Sequence, residues 1–178
     1  MSGLASDDVT PWLSPAELDL VRRKVPMIYV DLVPVRVDAS GTVQAIGLLL
    51  RNPREGGISR ALVSGRVLLH ESVRHAMLRH LEKDLGPLCL PRIPAAPQPF
   101  TVAEYFSTPG QGFHDSRQHA VSLAYVVPVD GDCQPQQDAL DLTWLTPAEV
   151  LDPDVLTEMV DGHEVLLRQA LAHVGRLL

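Results

Sequence analysis

Two periodicities of apolar and polar positions divide the chain. Met27 to Val37 is rich in β-branched residues, and Val33, Val35 and Val37 alternate with Pro34, Arg36 and Asp38, which predicts a strand. Pro34 has no N–H to give a ladder, so this strand is expected at a sheet edge or a bulge. Asp38 to Gly41 has turn chemistry, and Thr42 to Arg51 is the returning strand of a hairpin. Asn52 to Ser59, with Pro53, Gly56 and Gly57, reads as a loop, and Arg60 to Val63 as a short strand. From Glu71 to Leu85 the period lengthens: Leu78, Leu81 and Leu85 share a helix face, and Gly86-Pro87 ends the element. Prolines 91, 94, 97 and 99 make the stretch from Leu88 to Pro99 an extended connector. Phe100 to Ser107 and His119 to Val129 are strands, the second placing His119, Val121, Leu123, Tyr125 and Val127 on one face.

Two helix starts use the same chemistry. Ser14-Pro15-Ala16-Glu17 and Thr146-Pro147-Ala148-Glu149 each place a hydroxyl cap before Pro, with Glu three residues after the cap. The first helix is expected from Pro15 to about Lys24. The chain after Trp144 is expected to be helical with a break near Gly162. Its last helix carries Leu166, Leu167, Leu171, Val174 and Leu178 on one side, a face to be buried on the domain or across a homodimer. Strands before and after a central helix, with helices at both ends, suit an α/β sandwich with a mixed sheet. The expected organisation is one domain over 1–178: a helical extension over 1–26, a core over 27–151 and a C-terminal helix over 152–178.

Composition narrows the function classes. Hydrophobic residues are 46% and charged residues 21%, enough apolar surface for a packed core. Fifteen basic against 22 acidic residues give a net charge of −7, which disfavours nucleic-acid and anionic-membrane partners. Thirteen of the basic residues are Arg, a side chain suited to small phosphorylated ligands but equally to GC-rich coding. Two cysteines, Cys89 and Cys133, exclude a disulfide framework. The N-terminal ten residues carry two Asp and no basic residue, unlike a signal peptide, so a cytoplasmic setting is expected.

The segment richest in chemistry is Gly65-Arg-Val-Leu-Leu-His-Glu71, followed after seven residues by Arg79-His80-Leu81-Glu82-Lys83-Asp84-Leu85-Gly86. It resembles a Nudix box, in which Gly, Glu, Arg, an aliphatic residue and a second Gly recur at these spacings; Gly65, Glu71, Arg79, Leu81 and Gly86 match, and Pro87 departs from the closing aliphatic position. Asp115-Ser-Arg117-Gln-His119 is similar to the Asp-x-Arg-x-His strand of ADP-ribose-type members, and Asp141-Leu-Thr-Trp144 to their Trp-containing strand. The resemblance covers residues 27 to 151. It implies an α/β/α sandwich and hydrolysis of a nucleoside diphosphate linked to another moiety, assisted by Mg or Mn on a glutamate-rich helix face.

At the three core acidic positions of the box this chain has His80, Lys83 and Asp84, which span roughly 100° of one helix face. Only Asp84 is a carboxylate, and Lys83 brings a positive charge where the family places a ligand. Glu82 points about 200° away from His80 and is no substitute. The resemblance implies Glu71, Arg79 and Asp84 as catalytic residues, Glu71, His80 and Asp84 as ligands of a weakly held divalent cation, and Gly65, Arg117 and His119 as ligand contacts. Glu71 and Arg79 suit an ordering ion pair or an ordinary helix-surface contact. His80 and Asp84, at i and i+4, suit a softer metal or a plain hydrogen-bonded pair. Asp115, Arg117 and His119 suit ligand contact or strand-start chemistry, and Asp138 or Asp141 is a candidate for the family's distant acid. Two functions follow: a metal-dependent hydrolase of phosphoanhydride bonds, or a non-hydrolytic module holding a nucleotide-like ligand.

Overall fold

The strand from Met27 to Val37 (β1) is the spine of the molecule. The computed structural model describes residues 12–52, 57–136, 139–160 and 162–175. Along one side, β1 pairs in parallel with Ala120–Pro128 (β7), from Met27 opposite Ala120 to Val35 opposite Pro128. Along the other it changes partner, meeting Val63–Arg66 (β4) at Tyr29 to Leu32 and Val43–Arg51 (β2) from Val35 onward. Pro34 falls between these two antiparallel pairings, so its missing N–H interrupts neither ladder. The strand is therefore central rather than at an edge. The bulge is displaced from Pro34 to Arg36/Val37, where the register against β2 shifts.

Ser59–Ala61 (β3) extends the sheet beyond β2, Thr101–Phe106 (β5) and Phe113–His114 (β6) extend it beyond β7, and Ala139–Leu145 (β8) pairs with β2. Gly65, the first residue of the box-like segment, lies inside β4 opposite Val30. The two-residue β6 is too short to carry a periodic signal.

Helices cover both faces, which explains why β1 is apolar almost throughout. Val73–Leu85 (α2) packs Met77, Leu81 and Leu85 against Val30, Leu32, Leu49, Val63 and Val127. It begins at Val73 rather than Glu71, because the Ser72 side chain caps it by accepting from His75 N–H. Its buried stripe is Met77, Leu81 and Leu85 beside Ala76, His80 and Asp84, whereas Leu78 is half-buried. Burying a leucine such as Leu81 contributes about 2 kcal/mol. Gly86, at φ 86°, lets the chain leave the helix in a conformation that side chains disfavour.

The opposite face receives Pro153–Thr157 (α3) and His163–His173 (α4), with Leu156, Leu166, Leu167 and Leu171 against Val33, Val35, Ile46, Leu48 and Ala124. The apolar side of α4 is thus covered by its own sheet and supplies no argument for the expected homodimer; Leu178 lies outside the described residues. The N-terminal helix, Pro15–Arg22 (α1), has the expected capping box. The second such start, at Thr146, makes the same cap bonds but opens only a 3-10 turn, Glu149–Leu151. Among the described residues no helix is long and apolar enough to cross a membrane.

Candidate functional site

Glu71 stands at the mouth of α2 and is spoken for on both oxygens. Arg79 grips it bidentately, Nε to Oε1 and Nη2 to Oε2, both at 2.7 Å, and Leu68 N–H donates to Oε2 at 2.9 Å. The same guanidinium donates to Arg66 O at 2.9 Å, tying β4 to the helix. The hydrogen bonds from Arg79 hold the Glu71 carboxyl below its ordinary range, against the upward push of burial. This is an ordering pair that sets the approach of β4 to α2.

His80 is buried and packs directly beneath Gly65. A Cβ on Gly65 would lie 1.8 Å from His80 Cε1, so a side chain there and the imidazole exclude each other. His80 Nε2 bonds Arg66 O at 3.0 Å, while Nδ1 is buried without a partner. Burial, followed by the nearby Arg79 and Lys83 charges, lowers its pKa and favours the neutral ring.

Asp84, 1% exposed, faces two cations: Arg51 Nη2 lies 2.8 Å from Oδ2 and Lys83 Nζ 3.6 Å from Oδ1. Arg51, at the end of β2, had no signal in sequence, because its partner lies on a distant helix. The donor set does not fit a pair of hard divalent cations. Glu71 is consumed, His80 is turned into the domain, and each oxygen of Asp84 already meets a side-chain cation. Among the described residues no three His, Cys, Asp or Glu side chains converge as a metal-holding group. Asp141 is exposed on β8 with Oδ1 accepting from Leu142 N–H; Asp138 lies outside the described residues.

Arg51 also lines a cleft of about 720 Å³ between the strands and the start of α4, together with Tyr29, Tyr105, His114, Arg117 and His163. Arg117 is clamped by Asp115 at 2.8 and 2.9 Å yet keeps an exposed side chain at the cleft mouth. His119 stands apart from that cleft. It stacks on Phe106 with ring centroids 4.7 Å apart and lines a separate hollow beside Arg22, Arg23 and Lys24.

Beneath the cleft lies a smaller cavity of about 100 Å³, sharing with it Tyr29, Ser64, Tyr105, Asp115 and Arg117 and adding Asp31 and Ser122. Asp31, 2% exposed, sits on β1 with Tyr105 Oη 3.3 Å from Oδ2 and His163 Nε2 3.6 Å from Oδ1. Leu62 N–H donates to His163 Nδ1 at 3.1 Å, so the ring proton is on Nε2, facing Asp31. Burial pushes the Asp31 carboxyl up, but the His163, Ser122 and Ser64 groups around it outweigh this and hold it below its usual range. Sequence reading missed Asp31, Tyr105 and His163. The available signal was one charge inside the otherwise apolar run Met27 to Val35.

Comparison with known proteins agrees with this architecture. The sequence model of a family described as a domain of unknown function (DUF4916) matches residues 8–176. No curated protein matches the sequence. A crystal structure from Jonesia denitrificans, described as a possible asymmetric diadenosine tetraphosphate (Ap(4)A) hydrolase, is 63% identical, covering 87% of this chain and 98% of its own, with a TM-score of 0.85. A NUDIX-family hydrolase from Clostridium perfringens shares 12% identity over 86% of this chain and 99% of its own, with a TM-score of 0.61. The NUDIX domain of Shewanella oneidensis NrtR, complexed with ADP ribose, shares 21% identity over 91% and 99%, with a TM-score of 0.59. These last two speak for the fold. The chain is a member of the DUF4916 domain family and, through its fold and its 63% identical relative, of the Nudix superfamily.

Proposed function

We propose that this protein holds a nucleotide-like ligand with a diphosphate in the cleft and does not hydrolyse it. The observation that carries this reading is Asp84 placed between Arg51 and Lys83. In a hydrolase of this fold that helix face concentrates negative charge for metals; here one carboxylate meets two cations, and divalent cations bind weakly. Arg51, on the cleft wall, and Arg117, at its mouth, supply positive charge to a diphosphate without a metal. Glu71 and Arg79 are positioning residues on this reading.

The second reading is a phosphoanhydride hydrolase acting through Asp84. It is favoured by the 63% identical relative described as a possible Ap(4)A hydrolase. The deciding assay follows nucleoside monophosphate and phosphate release from Ap(4)A, ADP-ribose and nucleotide sugars with Mg or Mn, beside calorimetric binding in a chelator. The proposal expects binding that survives chelation and no turnover above buffer. Brisk Ap(4)A hydrolysis abolished by Asp84→Asn overturns it.

A further inference from the structure

Not every polar group around the small cavity has spare bonding capacity. Gln118 Nε2 donates to Tyr29 Oη at 3.0 Å and to Asp115 Oδ2 at 2.9 Å, while its Oε1 accepts from Arg22 Nε at 3.1 Å. Asp115 is further committed to Arg117 through both carboxylate oxygens. The spare capacity sits at Asp31 and Ser122. Ser122 Oγ is fully buried and makes no well-formed hydrogen bond, although it lies close enough to Asp31 to favour the charged carboxylate. Asp31 has room for about four donors. Tyr105 and His163 stand at 3.3 and 3.6 Å, where charge-assisted bonds run about 2.7–2.9 Å, and the Ser64 and Ser122 hydroxyls lie near enough to favour its charged form.

An under-bonded buried carboxylate beside an unbonded buried hydroxyl is a receptor for N–H donors. His163 offers a ligand no acceptor, because Leu62 N–H already occupies its Nδ1. The cavity takes the edge of one six-membered ring, and its opening into the larger cleft leaves space for a second ring, a sugar and phosphates. Tyr29 and Tyr105 supply aromatic walls.

Resting on the reading that the cleft holds a nucleotide diphosphate, we infer that the Asp31–Ser122 cavity is its base subsite and selects guanine over adenine. Guanine presents two adjacent donors, N1–H and the N2 amino group, and a carboxylate accepts both. Adenine presents its N6 amino group beside the N1 lone pair, which faces a carboxylate oxygen unfavourably. Asn, with one acceptor and one donor, matches the adenine edge instead.

The test is calorimetric titration of the full chain with GDP, ADP, guanosine and inorganic pyrophosphate, using wild type, Asp31→Asn and Ser122→Ala, with thermal melts confirming folding. GDP is expected to bind about tenfold more tightly than ADP, and Asp31→Asn to cancel or invert that ratio. Should Asp31→Asn not fold, Ser122→Ala carries the test: GDP affinity falls severalfold while pyrophosphate affinity is unchanged. Equal affinities for GDP, ADP and pyrophosphate, unaltered by Ser122→Ala, overturn the base subsite and leave the diphosphate reading standing. Binding of guanosine without pyrophosphate overturns the diphosphate reading and leaves the subsite standing. Binding of none of the four overturns both.

Discussion

Arg51 stands between two regions that treat buried charge in opposite ways. On the α2 side both box carboxylates have a close counter-charge: Glu71 with Arg79 at 2.7 Å, Asp84 with Arg51 at 2.8 Å. On the cleft side, Asp31 is as deeply buried as Asp84 but Tyr105 and His163 stand off at 3.3 and 3.6 Å, and Ser122 Oγ makes no well-formed hydrogen bond. Paired carboxylates hold the α2 side together, whereas a buried carboxylate with long contacts that faces a cavity is a candidate for a ligand contact. The resemblance directs attention to the box helix; the bonding directs it to the sheet face beneath the cleft.

The sharpest way to break this contrast is to open the satisfied side. Arg79→Met strips Glu71 of its two shortest bonds and leaves Arg66 O with His80 Nε2 alone among its side-chain partners. With the pair at 27% and 13% exposure, the expected loss is about 3 kcal/mol, read by urea denaturation. The pH dependence carries a sign. Glu71 ionises below its ordinary range in the folded chain, so its contribution is full above the unfolded carboxylate range and fades as pH falls through the folded value. Arg79→Met therefore flattens the acid limb of a stability–pH profile. An unchanged limb would show that the pair does not govern acid stability.

Gly65→Ala comes next, with an expected cost of about 2 kcal/mol from overlap with His80. His80→Ala in the same chain should recover most of that cost, and additive losses would show that the imidazole yields without help. Third, Lys83→Glu with Arg51→Gln removes both cations from Asp84 and supplies a second carboxylate. Manganese affinity, followed by paramagnetic titration, should rise about tenfold, or about 1.4 kcal/mol. Tight manganese binding by the wild type would place the metal elsewhere. The smallest effect belongs to Arg117→Ala. Its exposed ion pair with Asp115 is worth about 0.5 kcal/mol or less to stability, while the proposal requires a clear loss of pyrophosphate affinity.

The architecture was legible because β1, the β1–β2 turn and α2 carry strong local periodicity and punctuation. What was not legible depended on distant chain. Pro34 reads as an edge signal until β4 and β2 are seen to divide the side of β1 that it faces. Nothing in the sequence around Gly65 announces that His80 occupies the space of its missing side chain. Glu71 and Arg79 follow from the resemblance to the Nudix box, and their mutual contact lies within that same local segment. The Arg51–Asp84 and Asp31–His163 pairs join elements far apart in sequence, and no periodicity announces such partners.

The parallel pairing of β1 with β7 joins residues about ninety positions apart, and so sets when the Asp31–Ser122 cavity is complete. Closing so long a loop is slow relative to forming the β1–β2 hairpin, so the cavity floor is assembled late in folding. A register slip of one residue would turn Asp31 to the opposite face of the sheet and Ser122 away from it. Until β7 has docked in register and His163 has reached its place at the head of α4, a growing chain has a hairpin but no receptor. Under the proposed function, a nucleotide that binds only the completed register would select correctly folded molecules from among near neighbours.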